Sequence, residues 1–218
     1  MNGKFVLPPK SRVNVKREVG MTHIYFVRHA LPEHNWKEDR TRPLTAEGLM
    51  DSRKVAEVLQ SIPLDFAIAS PYVRSIDTIR ECAIAHGLTV ATDERLRERK
   101  GGPGGSNLKL LKKRWEDFEF HEEGGEAIGS VQQRNIEAVF ELLKSHPGES
   151  ILLGTHATAL SSILLYFDPS YNHESFLRIL NYMPYIIRLD FEGHACLHKE
   201  ELLTVDKGFT SYTYKYMK

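Results

Sequence analysis

"MTHIYFVRHALPEHN", Met21 to Asn35, is apolar from Ile24 to Val27 and then stops on Arg28 and His29, side by side. A short, continuous apolar run rich in strand formers marks a β-strand covered on both faces. Ending such a strand on two groups that are costly to bury calls for something at its tip that compensates them.

Similar runs recur at residues 66–69, 88–92 and 151–153. Helical spacing fills the intervals. Residues 45–60 carry Leu49, Val55, Ala56 and Leu59, and residues 127–144 carry Ile128, Val131, Ile136, Val139, Phe140 and Leu143. Residues 71–85 open with Ser70-Pro71, a favoured cap and first-turn pair, and a further helix is expected after Thr155. Alternating β and α elements predict a single three-layer α/β domain, a mainly parallel open sheet with helices on both faces. After Pro184, "YIIRLDF" and "HACLHKEELL" flank Glu192-Gly193 and predict a C-terminal hairpin at the edge of the sheet. "GGPGG", Gly101 to Gly105, reads as a mobile loop.

The chain has 218 residues, enough for a sizeable core, with 41% hydrophobic residues and a formal net charge of zero. That balance gives no reason to expect nucleic acid or a membrane as partner. No apolar run approaches the ~20 residues of a membrane span. Cys82 and Cys196 stand far apart with no CxxC spacing, which predicts free thiols and a reducing, cytoplasmic setting. Residues 1–20 are basic and polar without the apolar core of a signal peptide. They read as an N-terminal extension to a domain at 21–218, with Met21 as an alternative start.

In sheets of this kind ligands bind at the carboxyl ends of the strands. The first strand ends at Arg28-His29, the second at "SPYVR" (Ser70 to Arg74) and the last at "GTHA" (Gly154 to Ala157); the third leads into "ERLRER", which holds Glu98. Together they supply two arginines, two histidines and a carboxylate to one crevice. Arginine forks match phosphoryl oxygens. A histidine beside them can attack phosphorus, and a second can bind the equatorial oxygens. Taken singly, each has a plainer reading: a capping pair, an exposed arginine at a helix start, a solvated charge run, a satisfied core histidine. Their joint occurrence in order, each at a strand end, favours the crevice.

These residues resemble the histidine phosphatase superfamily, also called the phosphoglycerate mutase-like family. The likeness rests on Arg28-His29-Ala30 with Asn35 six residues after the histidine, on "LTAEGLMDSRKVA", "SPYVRSIDT", Leu96-Arg97-Glu98, Gly125-Glu126-Ala127 and His156-Ala157. It implies that His29 is the nucleophile of a phosphohistidine intermediate. Arg28, Arg74 and His156 would bind the phosphoryl oxygens, with Asn35 assisting and Ala157 at the substrate. Glu98 would donate a proton to the leaving oxygen and then activate water. No metal and no cofactor is implied, because the positive side chains supply the charge a metal would provide.

The sequence departs from the family at Ala30 and Ala157, where the pattern has glycine, and at Pro32 and Ala127, where it has hydroxyl residues. Alanine at a positive φ would be strained by about 1–2 kcal/mol; at an ordinary φ the two methyl groups would narrow the pocket. The expected function is a metal-independent phosphomonoesterase acting on a small phosphorylated molecule. One alternative is a mutase of the phosphoglycerate type, against which stands the short stretch between Glu98 and Gly125, without a tandem-arginine motif. The other is a non-catalytic phospho-ligand binder, for which Glu98 has little use. A homo-oligomer is left open. The remaining histidines show no metal-ligand spacing, and Arg40, Arg42 and Lys100 suggest an electropositive rim.

Overall fold

The computed structural model describes residues 20–103 and 107–208. The expected N-terminal extension, apart from Gly20, lies outside the described residues, as do Gly104 and Gly105 of the glycine loop.

Among the described residues six strands form one sheet: β1 (Met21–Arg28), β2 (Phe66–Ala69), β3 (Val90–Thr92), β4 (Ser150–Thr155), β5 (Tyr182–Glu192) and β6 (Ala195–Asp206), in the order β3-β2-β4-β1-β5-β6. The first four in that order are parallel; β5 and β6 are antiparallel and make the predicted edge hairpin, turned at Gly193 with φ +56°. The helices are α1 (Ala46–Leu59), α2 (Val73–Ala85), α3 (Leu108–Glu116), α4 (Ile128–Ser145), α5 (Ala157–Phe167) and α6 (His173–Leu180).

The pleat sends alternate residues of β1 to opposite faces. Ile24 and Phe26 join the side chains of α4, α5 and α6 in one core, while Tyr25 and Val27 join those of α1 and α2 in the other. This is the three-layer α/β arrangement expected from the apolar runs. It pins the register of β1, because a one-residue slip would exchange the two cores. Truncating a fully buried side chain such as Leu153 should cost about 2–5 kcal/mol.

Two turns bring the loop after β1 and the start of α1 together. The Thr45 hydroxyl accepts from the Gly48 amide at 2.9 Å and so caps α1. Gly48 itself passes so close to Leu31 that an added Cβ would lie 2.2 Å from the Leu31 carbonyl oxygen. No side chain fits there, which explains the glycine four residues after Leu44.

The structure corrects three local expectations. The third strand begins at Val90 and not at Leu88. Gly87 closes α2 at φ +71°, and the Leu88 amide bonds back to the Ala83 carbonyl, so Leu88 caps the helix instead of pairing. The helix α2 begins at Val73, and Ser70 does not cap it. The fifth strand begins at Tyr182, before Pro184, with a register shift against β6 between Tyr182 and Tyr185 that accommodates a residue without an amide hydrogen.

Candidate active site

His29, Ser70 and His156 are each the first residue beyond a strand, of β1, β2 and β4 respectively. Register fixes their proximity. Arg28 faces Thr155 across β1 and β4, and Ala69 faces Gly154 across β2 and β4. Amide-to-carbonyl bonds from His29 to Thr155 (3.1 Å) and from Ser70 to Gly154 (3.0 Å) hold the three tips in line. The rings of His29 and His156 meet edge to face at 5.2 Å, and both are buried.

The hydrogen bonds of His29 determine its tautomer. Its Nδ1 lies 2.8 Å from the Ala30 carbonyl oxygen, which can only accept, so Nδ1 carries the proton. The lone pair is then on Nε2, which receives Nε–H of Arg74 at 3.3 Å. Burial, reinforced by the charges of Arg74 and Arg28, drives the His29 pKa well below 6.5. His156 is depressed in the same way, by burial first and then by Arg74. Two neutral imidazoles therefore sit among cationic groups.

His156 Nε2 lies 2.7 Å from the Ser70 hydroxyl, while its buried Nδ1 has no hydrogen-bond partner. The same hydroxyl accepts from the Tyr72 amide at 3.4 Å, while the N-cap of α2 is Tyr72. The Tyr72 ring stands edge to face against His156 at 5.1 Å and lies under the Arg74 guanidinium at 4.9 Å.

Arg28 is anchored from behind. Its Nη1 donates to the carbonyls of Ile179 and Tyr182, the latter at 2.8 Å, which ties it to the junction of α6 and β5. Its buried Nε is unpartnered. Burial lowers its pKa to about 10, opposed by the charge of Glu98. Arg74 is buried as well, and its fork engages Asp39, with Nη1 2.6 Å from the backbone carbonyl and 3.2 Å from the carboxylate.

Glu98 lies at the N-terminus of α5. Its Oε1 accepts from the amides of Arg99 (2.7 Å) and Ala159 (3.2 Å), and its Oε2 from that of Thr158 (3.1 Å). A carboxylate is favoured at that end of a helix. The segment that carries Glu98 is clamped by Arg134, whose Nη1 bonds the carbonyls of Arg95 and Arg97 at 2.6 Å each and whose Nη2 bonds that of Glu98 at 3.2 Å. Glu126 holds Arg134 (2.8 Å) and Arg97 (2.7 Å) in turn. Burial opposes ionisation of Glu126, yet the bonds from Arg134 and Arg97 prevail and lower its pKa to about 2.

The structure thus gathers Arg28, His29, Arg74 and His156 at the carboxyl ends of β1, β2 and β4, with Glu98 near enough for its charge to bear on both arginines. Asn35 is exposed on the loop after β1 and hydrogen-bonds to none of the five. Ala157 opens α5 and packs with Trp115, Ile128 and Phe176. No residue other than glycine has a positive φ among the described residues, so neither Ala30 nor Ala157 is strained. Sequence reasoning missed Asp39, Thr78 and Arg134. Thr78 Oγ1 accepts from the Ala30 amide (2.9 Å) and donates to the Arg74 carbonyl (2.7 Å), joining the histidine turn to α2. It was visible as the threonine of "SPYVRSIDT"; Asp39 and Arg134 carried no such signal.

Among the described residues no three His, Cys, Asp or Glu side chains are grouped as metal ligands would be. No helix among them is long and apolar enough to cross a membrane. The site instead offers cationic donors around an unprotonated imidazole nitrogen, a setting suited to an anion with an electrophilic centre.

Known proteins resemble the chain in sequence and in fold. A probable phosphoglycerate mutase GpmB from Enterobacter sp. (strain 638) is 30% identical over 167 residues, 66% of this chain and 74% of that protein. A mycobacterial glucosyl-3-phosphoglycerate phosphatase superposes with a TM-score of 0.68 at 18% identity, covering 83% of this chain and 97% of that one. A phosphoserine phosphatase mutant from Entamoeba histolytica does so with a TM-score of 0.67 at 17% identity, covering 83% and 96%. The model of the histidine phosphatase superfamily (branch 1) matches residues 24–199, and the chain belongs to that family.

Proposed function

We propose that the protein is a phosphomonoesterase that passes the phosphoryl group of a small phosphate ester first to Nε2 of His29 and then to water. The observation that carries this reading is the tautomer of His29. With Nδ1–H on the Ala30 carbonyl, the lone pair belongs to Nε2, where it accepts Nε–H of Arg74 until a substrate takes that donor.

In the first step the Nε2 lone pair forms an N–P bond as the ester P–O bond breaks, and the leaving oxygen takes the electron pair. Arg28, Arg74 and His156 stabilise the charge on the phosphoryl oxygens. Glu98 supplies the proton the leaving oxygen needs. Its Oε1 already accepts two amides and its Oε2 only one, which leaves Oε2 the lone pair on which that proton can sit. In the second step water attacks phosphorus, Glu98 takes its proton, and the N–P bond breaks to restore His29. The positive side chains provide the charge neutralisation that a metal provides elsewhere.

The curated relative named as a probable mutase favours a second reading, in which phospho-His29 is discharged to a second hydroxyl instead of water. The named phosphatases among the structural relatives favour hydrolysis. A screen of phosphorylated metabolites for phosphate release, run without any bisphosphate primer, separates the two. Release without primer supports the phosphatase; isomerisation that requires primer supports the mutase. The free thiols of Cys82 and Cys196 support a cytoplasmic setting.

A further inference from the structure

Arg74 has two kinds of partner. One nitrogen serves His29, and the others hold Asp39, through the backbone carbonyl at 2.6 Å and the carboxylate at 3.2 and 3.5 Å. Asp39 is thus about one guanidinium width from the proposed nucleophile. The same carboxylate accepts Nη2 of Arg42 at 3.0 Å. Arg42 also lies near the proposed nucleophile: its charge bears on both His29 and Arg74, and its buried Nε has no hydrogen-bond partner.

An oxyanion bridging two arginines beside a neutral histidine is what a bound phosphoryl group would itself look like. A phosphate dianion arriving at Arg74 disfavours Asp39 there, because two like charges would share one guanidinium. Its side chain is half exposed, on the loop between Pro32 and Leu44, so it has room to leave. Arg42 gives it somewhere to go, since that ion pair does not require Arg74.

We infer that Asp39 is a built-in counter-ion that competes with the substrate's phosphoryl group for Arg74, and that Arg42 retains the carboxylate once substrate displaces it. This rests on the phosphatase reading of the same site. In the empty enzyme Asp39 keeps Arg74 satisfied and aimed at His29. The cost is weaker binding of every phosphate, product included, which would favour release.

Each partly exposed ion pair is worth a few tenths to about 1 kcal/mol. Removing the competing charge should therefore tighten phosphate binding roughly two- to fivefold. The test is calorimetric titration of the full chain with inorganic phosphate, comparing wild type, Asp39→Asn and Asp39→Glu. Tighter binding by Asp39→Asn, with Asp39→Glu near wild type, is the expected result, accompanied by a lower KM for substrate at a kcat that does not rise. General loosening of the loop would weaken binding, so a gain is not what a purely structural role predicts. Equal or weaker binding by Asp39→Asn, while wild type binds phosphate, overturns the inference alone. No phosphate binding by wild type overturns the phosphatase reading and the inference with it.

Discussion

Arg74 donates from Nε to Nε2 of His29 across 3.3 Å, a bond that the imidazole can accept only when that nitrogen is unprotonated. The arginine that would bind the phosphoryl group thereby also keeps the proposed nucleophile in its reactive form. The electrostatics agree, since burial and the Arg74 charge both push His29 down from 6.5.

That depression has a signature in stability. His29 and His156 are held neutral in the fold, whereas the unfolded chain protonates both near pH 6.5. Below that pH the unfolded chain binds more protons, so stability is full above about 6.5 and is lost as pH falls below it. Each histidine contributes a slope of about 1.4 kcal/mol per pH unit. Urea unfolding of His156→Asn at pH 5 and pH 6 should show a pH dependence shallower than wild type by about that amount. An unchanged slope would mean that His156 is protonated in the native crevice.

Glu98 should matter in proportion to the leaving group's need for a proton. A positioned general acid is worth about 10²–10⁴ in rate. In pre-steady-state measurements Glu98→Gln should slow phosphorylation strongly with an alkyl phosphate and weakly with a nitrophenyl phosphate, whose leaving group departs unprotonated. Dephosphorylation should slow with both. Equal slowing of the first step for both esters would reduce Glu98 to a residue that shapes the pocket and caps α5.

Glu126 touches neither His29 nor Arg28 nor Arg74, yet it should affect turnover. Glu126→Gln leaves Arg97 and Arg134 without their counter-charge in a mostly buried setting. The expected loss is roughly 2–4 kcal/mol in denaturant unfolding. Because Arg134 clamps the Glu98 backbone, kcat should fall about tenfold with the alkyl ester and less with the aryl ester. Equal losses for the two esters would show that Glu126 supports the fold without positioning the acid.

Activity should survive chelation. Arg28, Arg74 and His156 surround the proposed phosphoryl site, and no ligand group for a metal stands among the described residues. Phosphate release measured in excess EDTA should match the untreated enzyme. Loss on chelation and recovery with magnesium would contradict the charge balance proposed here.

Much of this was legible in the sequence because the strands are short, apolar and punctuated. Ile24 to Val27 ending on Arg28-His29 announced both a buried strand and its cargo, and Thr45 with Gly48 announced α1. The helices α3 and α6 escaped notice. The first is nine residues long and rich in lysine, with Trp115 as its main buried anchor; the second is eight residues long, though Asn172 caps it and Phe176 and Ile179 are buried. Neither is long enough for periodicity to stand out against its neighbours. Ser70 misled because α2 starts only at Val73, with Tyr72 as its N-cap, and the Ser70 hydroxyl meets His156, a partner 86 positions away. Asp39 could not be read at all. Its role depends on where the loop after β1 folds back, and no local pattern encodes that.

The central claim is that phosphorus becomes bonded to His29. Single-turnover reaction with a labelled phosphate ester, quenched in base and mapped by peptide digestion, tests it most directly. The label should appear on the peptide containing His29, stable in base and lost in acid as a phosphoramidate is, and His29→Ala should show no label and a rate lower by roughly 10³-fold or more. Label on a serine, or a His29→Ala protein that turns over at the wild-type rate, would contradict the account.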